Sequence, residues 1–307
     1  MVSTHSSRND DVRIIGAGLA GLLAANVFRK AKVFEAGPAS QATHKAVLRF
    51  RSNAVGDAMG IDFRPVAVHK GIYFCDHFVQ PDIRLANMYS QKVIGRFVDR
   101  SIWNLAPSER FIAPEDLIEQ LIDRVGDRIE WDTAINPIDV QHNGPTISTM
   151  PMSTLLRMMD PETEHSFEFA QISVQRWRVP NASVYQTVYF PEPHLPLYRA
   201  SITGDLLIAE HMGKPDKTYE WEIFDAFGLT GNDVVEIDTS KQRFGKIAPI
   251  DEDVRRKIIL AATLDHNIFS VGRFATWRNI LLDEVLSDIH TIKRLISGGI
   301  YDAAKAV

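Results

Sequence analysis

Val12-Arg13-Ile14-Ile15-Gly16-Ala17-Gly18-Leu19-Ala20-Gly21 runs from a short apolar segment through three glycines into a helix-forming stretch. The spacing is that of a strand, a turn and a helix that together carry a dinucleotide: Gly16 permits the tight turn, Gly18 lets backbone approach a pyrophosphate, and Gly21 lets the helix pack on the strand. The helix N-terminus, with Leu19 and Ala20 in its first turn, then aims its amides at the phosphates. A lone G-x-G-x-x-G is a weak signal, because glycine turns also occur without a ligand. Its surroundings strengthen it here. Leu22 to Phe28 continues an apolar helix, and Lys32-Val33-Phe34-Glu35 reads as a second strand ending in an acid nineteen positions after Gly16, near the spacing at which a carboxylate meets ribose hydroxyls.

With 307 residues, 45% of them hydrophobic and 24% charged, the chain suits one large α/β body or two domains sharing a ligand. No apolar run reaches the roughly 20 residues that span a bilayer. Met1 to Asp10 lacks the apolar core of an export signal, so a disordered tail over 1–10 and a cytoplasmic protein are expected, the host cytoplasm if the source is viral. Cys75, the single cysteine, can form no internal disulfide and reads as a buried structural thiol. No His/Cys cluster has metal-ligand spacing, so no metal is expected. The net charge of −5 argues against broad attraction to nucleic acid. DNA is left with the local clusters Lys45/Arg49/Arg51, Arg96/Arg100, Arg176/Arg178 and Arg255/Arg256/Lys257, each a solvated face by default.

Thr43 to Ser52 is a basic segment where the chain returns past the phosphates, and Arg49 or Arg51 is placed to neutralise a pyrophosphate. Val66 to Phe74 is β-rich, and Pro81 to Ser101 shows no helical period. Ala113-Pro114-Glu115-Asp116 opens a helix that runs through Val125 to Gly126, followed by a strand at Arg128 to Trp131. Pro145 to Met152 reads as a strand stopped by Pro151, with a short Met-containing helix after it. Three β-rich runs, Phe167 to Val179, Ser183 to Phe190 and Tyr198 to His211, imply an antiparallel sheet apart from the βαβ region. Trp221 to Phe227 and Asp253 to Leu264 read as helices, Asp233 to Asp238 and Asn267 to Val271 as strands, and the stretch from Asp283 as a last helix closed by Gly298-Gly299. The expected fold class is α/β. A Rossmann-like nucleotide-binding domain takes residues 11–65, 110–160 and 240–307, and an interleaved antiparallel substrate-side domain takes 66–109 and 161–239.

The paired ends of the chain resemble the flavin amine oxidase, protoporphyrinogen oxidase and UDP-galactopyranose mutase group. Asn267-Ile268-Phe269-Ser270-Val271-Gly272-Arg273-Phe274-Ala275-Thr276-Trp277-Arg278-Asn279-Ile280-Leu281-Leu282-Asp283 is similar to that group's strand, Gly-Arg turn, aromatic-Arg pair and acid opening the last helix. Ile147-Ser148-Thr149-Met150-Pro151 resembles its strand-to-Pro segment, and Tyr189 to Arg199 its proline-rich hairpin ending in a substrate-side Arg. The resemblance implies FAD as cofactor. Gly16, Gly18, Leu19, Ala20, Gly21, Glu35 and Ala36 would hold the adenosine diphosphate, with Arg49 or Arg51 at the pyrophosphate. Pro151, Gly272, Arg273, Leu282 and Asp283 would lie toward the isoalloxazine. The chain departs from the group in lacking a Gly-Gly pair after Glu35, and its region between Val66 and Trp131 is too short and β-rich for the mutase's helical substrate domain. Leu48 to Gly56 and Leu85 to Val93 are also similar to small phage-encoded flavoproteins of thymine hypermodification, which include a glycine-oxidase-like member.

The activity this implies is an FAD-dependent oxidoreductase acting on a small amine, a glycine-like group or a glycyl-modified thymine base in viral DNA. Hydride passes to flavin N5 and the imine is then hydrolysed. Arg199 and Arg278 are the candidates for a bidentate grip on a substrate carboxylate, with Tyr198 and Trp277 as apolar walls. His44, His69 and His194 are candidates for polar contacts or proton transfer. Two other classes stay open: a non-redox flavin mutase acting on a nucleotide sugar, and a nucleotide-binding protein without catalysis. A nicotinamide dehydrogenase is disfavoured, since the C-terminal Gly-Arg segment has no task in it.

Overall fold

The computed structural model describes residues 11–41, 48–99, 101–138, 142 and 144–298. The expected tail, His44, Lys45, Arg100 and Gly299 lie outside the described residues. In chain order the strands are β1 (Arg13–Ile15), β2 (Lys32–Phe34), β3 (Arg49–Phe50), β4 (Arg64–Phe74), β5 (His77–Val79), β6 (Ser108–Ile112), β7 (Ile129–Glu130), β8 (Thr146–Ser148), β9 (Phe169–Arg178), β10 (Val184–Tyr189), β11 (Leu197–Gly204), β12 (Leu206–Met212), β13 (Val235–Ile247) and β14 (Ile268–Ser270). The α-helices are α1 (Leu19–Val27), α2 (Ala54–Met59), α3 (Ile83–Ile94), α4 (Leu117–Val125), α5 (Met152–Met159), α6 (Glu220–Asp225), α7 (Glu252–His266) and α8 (Leu282–Ser297).

Five strands form a parallel sheet in the order β14-β8-β1-β2-β7. Helix α1 carries the chain from β1 to β2 on one side, while β8 pairs with β1 on the other. The order of the sheet therefore reverses at the carboxyl end of β1, where open α/β sheets bind ligands. All three residues of β1 are buried. Its one charge, Arg13, is satisfied by donating to Thr146 Oγ1 at 2.8 Å and to the Pro137 carbonyl at 3.0 Å. Leu22 and Leu23 of α1, Leu117 and Leu121 of α4 and Ile289 of α8 bury their side chains with Ile14, Val33 and Ile147 of the sheet in one core. Arg128 closes α1 at its C-terminus by donating to the carbonyls of Ala31 at 2.9 Å and of Ala25 and Phe28 at 3.3 Å.

The second sheet runs β13-β9-β12-β11-β10-β4-β6-β3, with β5 on β4. Its pairs are antiparallel except for the parallel β10 and β4. It curls far enough that Arg49, on the edge strand β3, reaches the middle of the sheet. Arg49 donates to Thr203 Oγ1 at 2.9 Å, Thr187 Oγ1 at 2.7 Å and the carbonyls of Gln186 at 3.1 Å and Ile202 at 2.6 Å. One long side chain thus ties edge strand β3 to the neighbouring strands β10 and β11 in the middle of the curl.

Four expectations are corrected here. The stretch Pro81 to Ser101 contains α3, capped by Asp82, whose carboxylate accepts the Leu85 amide at 2.7 Å. Its buried face is Leu85, Ala86, Tyr89, Ser90 and Val93, and the small Ala and polar Ser hide the helical period. The run Tyr198 to His211 is two strands that meet at Gly204, where φ is +68°. Strand β13 continues to Ile247, so a boundary at 239/240 falls inside a strand, and β3 and β6 pair in the second sheet rather than with the nucleotide half. Cys75 is exposed in the turn between β4 and β5, not buried.

Candidate functional site

The three glycines of the first turn are required for different reasons. Gly16 has φ +95°, and a Cβ there would stand 2.2 Å from Thr149 Oγ1; a Cβ on Gly21 would stand 1.8 Å from the Gly16 carbonyl oxygen. The fold itself demands both. Gly18 is exposed, with φ −67° and ψ 173°, and a Cβ there would meet nothing within 4 Å. Gly18 is the N-cap of α1, a position that admits glycine but where Ser, Thr, Asp or Asn would cap with a side chain; no side-chain bond caps this helix, and its start is left open. The helical ladder begins with the Leu22 amide donating to the Gly18 carbonyl at 2.9 Å, so the amides of the first turn have no intrahelical acceptor. This cradle fits a phosphate.

Glu35 stands just past β2. Its Oε2 accepts the Ala17 amide at 2.6 Å and its Oε1 the Gly37 amide at 2.9 Å. Its carbonyl accepts the Thr133 amide at 2.8 Å, which holds it from the β7 side. Each carboxylate oxygen keeps a lone pair for a ribose hydroxyl. Ala36 lies exposed beside it.

The C-terminal segment closes on the same place. The Val271 amide donates to the Ser148 carbonyl at 2.9 Å, and the Thr149 amide to the Ile15 carbonyl at 3.0 Å. Gly272 has φ +97°, and a Cβ there would lie 3.0 Å from Ala20 Cβ, so the Gly-Arg turn rests on the first turn of α1. The Met152 amide donates to the Phe274 carbonyl at 2.9 Å, which sets Pro151 beside that turn. Arg273 reaches toward β13, its NH2 donating to the Gly245 carbonyl and to Asn279 Oδ1 at 3.3 Å each. Asp283, in the first turn of α8 after Leu282, accepts the amides of Arg51 at 3.1 Å and Ser52 at 3.2 Å and the Ser52 hydroxyl at 2.6 Å. Arg51 is thus held by its backbone with its side chain exposed. Arg49 instead directs its guanidinium into the second sheet, where burial, then the charge of Arg199, pulls its pKa down to about 10.

The four expected substrate residues fall into two settings. Arg199 Nε pairs with Glu210, and Tyr198 Oη donates to Glu210 Oε1 at 3.0 Å. Lys246 Nζ sits 4.4 Å from the centre of the Tyr198 ring. The terminal nitrogens of Arg199 have no acceptor among the described residues, and its side chain is 35% exposed. Arg278 pairs with Asp288 of α8. Trp277 is 2% exposed, donates from Nε1 to the Ala248 carbonyl at 2.8 Å and packs edge-on against Phe167; Tyr198 is fully buried. Both aromatics are core residues of separate clusters, not walls facing a substrate. Sequence reasoning missed Glu210 and Lys246, although an acid inside the apolar run Leu206 to Met212 was a signal.

Glu210 carries a testable consequence. Burial alone would raise its pKa, but the Arg199 charge and hydrogen bond, with Lys246 and Tyr198, hold it down at about 2. A carboxyl depressed on folding contributes stability that is present above its unfolded pKa of about 4.3 and is lost as pH falls toward its folded value. Thermal melts of the wild type should therefore fall steeply between about pH 4.5 and about pH 2, and Glu210→Gln should flatten that part of the profile. An identical acid limb in the variant would remove the Arg199–Glu210 pair from the account.

The remaining expected residues are placed as follows. Arg176 grips Asp238 with two bonds of 2.7 Å, Arg178 holds Glu115 at 2.9 Å and Asp205 at 2.6 Å, and Arg255 and Arg256 share Glu252. Arg176, Arg178, Arg255 and Arg256 are thus paired with carboxylates, whereas Arg51, Arg96 and Lys257 are exposed, Arg96 donating to the Pro249 carbonyl at 3.5 Å. His69 and His194 are exposed. Among the described residues no group of His, Cys, Asp or Glu is arranged to hold a metal, and no helix is long and apolar enough to cross a membrane.

No family model matches the chain, and no curated protein sequence matches it. Solved structures do. A reduced UDP-galactopyranose mutase superposes with a TM-score of 0.64 at 15% identity over 93% of each chain. An oxidoreductase from Methanosarcina mazei gives 0.56 at 10% identity over 92% of this chain and 99% of its own. The p-nitrophenol 4-monooxygenase of Pseudomonas putida gives 0.56 at 12% identity over 95% of this chain and 80% of its own. The chain has the fold of these proteins: α/β, with a Rossmann-like body built from both chain ends and an interleaved, mainly antiparallel sheet.

Proposed function

We propose that the chain is an FAD-dependent oxidoreductase whose substrate is an amine bearing an anionic group. The observation that carries the reading is the start of α1 at Gly18, a helix N-terminus capped by no side chain and with open space at the glycine, beside the C-terminal Gly272-Arg273 turn. The first-turn amides of α1 take the pyrophosphate, Glu35 takes the ribose, and Pro151, Arg273 and the start of α8 at Leu282 and Asp283 form the far side of the cradle. Bound there, FAD supplies a two-electron acceptor for the C–H bond beside an amine nitrogen. Arg199 offers its terminal nitrogens to the substrate anion, and Glu210 holds the guanidinium plane in place. A glycine-like carboxylate, including one borne on a modified thymine base, fits that fork. Arg176, Arg178, Arg255 and Arg256 are already paired with carboxylates, which leaves less charge for duplex phosphates and favours a base in single-stranded or monomeric form.

A second reading, a flavin mutase acting on a nucleotide sugar, is favoured by the likeness to UDP-galactopyranose mutase along nearly the whole chain. Arg199 would then take a diphosphate. The reactions separate the readings: peroxide released from glycine or glycyl-modified thymidine supports the oxidase, whereas ring contraction of a nucleotide sugar after dithionite reduction, without oxidation of either amine, replaces it. A colourless wild-type protein that binds no FAD would leave a nucleotide-binding protein without this chemistry.

The shared cradle predicts that Arg273→Ala weakens FAD retention, although Arg273 and Gly18 lie at opposite ends of the chain. Loss of one charge-assisted contact should cost about 1.5–3 kcal/mol, or roughly ten- to a hundredfold in affinity. Equilibrium dialysis of FAD against both proteins measures it. Equal affinities would detach the C-terminal turn from the cofactor.

A further inference from the structure

Lys92 is the one lysine of α3, and its ammonium reaches past the end of the second sheet into the turn between β10 and β11. Nζ donates to the Phe190 carbonyl at 2.8 Å, to the Glu192 carbonyl at 2.7 Å and to the Leu197 carbonyl. Three N–H donors meet three acceptors, so the ammonium is saturated. The acceptors lie on both arms of the proline-rich turn, which would otherwise be joined only by its own backbone. A second hold comes from the turn between β4 and β5, where the Cys75 amide donates to Glu192 Oε1 at 2.6 Å, and where Cys75 and Asp76 both have positive φ, 51° and 62°. Arg199 follows Leu197 by two residues and pairs across the hairpin with Tyr189, next to Phe190.

We infer that Lys92 is a positioning residue for the substrate anion: by clamping both arms of the turn it sets where the Arg199 guanidinium stands against Glu210. This rests on the reading that Arg199 receives that anion. An apolar side chain of the same length would fill the space without the desolvation that a buried ammonium suffers. What only the ammonium supplies is the third donor.

The clamp has a pH dependence with a definite sign. Facing Lys92 are Glu192 from the turn, Glu222 from α6 and His211 from β12, with Asp76 of the β4–β5 turn acting on Glu222. Burial pulls Lys92 down to about 7, against the opposing charges of Glu192 and Glu222. Burial also raises Glu222 to about 7, with Glu192 and Asp76 adding to it, so its charge appears over the same range and favours the ammonium. His211 is held near 4, by burial and then by Lys92, and stays neutral; neither of its ring nitrogens has a hydrogen-bond partner among the described residues. Above the Lys92 transition the amine has two donors for three carbonyls, and the turn loosens.

The test uses the full-length, FAD-loaded protein and two anions whose charge is constant across the range, acetate and sulfate, titrated from about pH 6 to about pH 8.5. Wild-type affinity for the anion that binds should fall about five- to tenfold as pH rises through 7, and Lys92→Met should show the weakened affinity at every pH with a flat profile and unchanged FAD content. A Lys92→Met protein with wild-type affinity and pH profile overturns the inference, as does a wild-type profile with no transition near 7 should that variant fail to fold. Arg199→Ala is the separate arm. If it leaves anion binding intact, the reading of Arg199 fails; if it abolishes binding while Lys92→Met does not weaken it, only the clamp fails.

Discussion

A Gly18→Val protein should fold, within about 1 kcal/mol of the wild type, and purify without flavin colour. Gly18 has φ −67° and ψ 173°, extended backbone that a β-branched residue adopts readily, and its Cβ position is empty to 4 Å. The folded chain therefore loses only the preference of the α1 N-cap for glycine over valine, about 1 kcal/mol, which leaves it folded. The ligand does have a reason, because the side chain would occupy the approach of the pyrophosphate to the first-turn amides. Gly21→Ala is the contrast. Its Cβ would press to 1.8 Å from the Gly16 carbonyl oxygen, so helix and strand must separate and the protein should be destabilised outright. Flavin absorbance and a thermal melt on both variants distinguish the cases, and a folded, yellow Gly18→Val protein would sink the cradle.

The second large effect is expected at Arg199. Removing a bidentate, charge-assisted partner of a carboxylate costs about 1.5–3 kcal/mol, so Arg199→Ala should raise the apparent KM roughly ten- to a hundredfold with FAD content unchanged. The single variant also strands Glu210, which is 6% exposed, without its counter-charge. Arg199→Ala combined with Glu210→Gln removes that complication. If the double variant recovers stability but not KM, the loss belongs to substrate binding; recovery of both would mean that Arg199 serves only to neutralise Glu210. Free glycine should remain a poor substrate even for the wild type, since remote binding energy is missing.

What could be read from the residues divides by the range of the interaction. The strand, turn and helix at Arg13 to Val27, the acid at 35 and the returning strand at 268–270 were legible because each is local and glycine or periodicity marks it. The α3 helix was not, because its inward face includes Ala86 and Ser90. The roles of arginines were the least legible. Arg49 looked like a phosphate ligand by position, but four acceptors on two distant strands take its donors, and only the curl of the sheet brings them near. Arg176, Arg178 and Arg255 looked like exposed charge because their carboxylates are remote in sequence or shared within a turn of helix. Tyr198 and Trp277 sit beside the expected arginines in sequence, yet Tyr198 lies at a break in the β11 register and Trp277 in a turn at φ +47°, and each is buried in its own cluster, so adjacency was no guide to a common wall.

The placement of β14 beside β8 also dictates an order of assembly. Strand β8 ends at Ser148 and its outer partner begins at Ile268, so about 120 residues must be made before that edge is paired. At about 5–20 residues per second the interval is roughly 6–24 s on the ribosome, during which a buried-type strand stands with an open edge. The Gly272 turn that rests on Ala20 comes later still. The cradle proposed for the dinucleotide is therefore complete only once the Gly272 turn has been made, and until then β8 keeps an edge that another strand could pair.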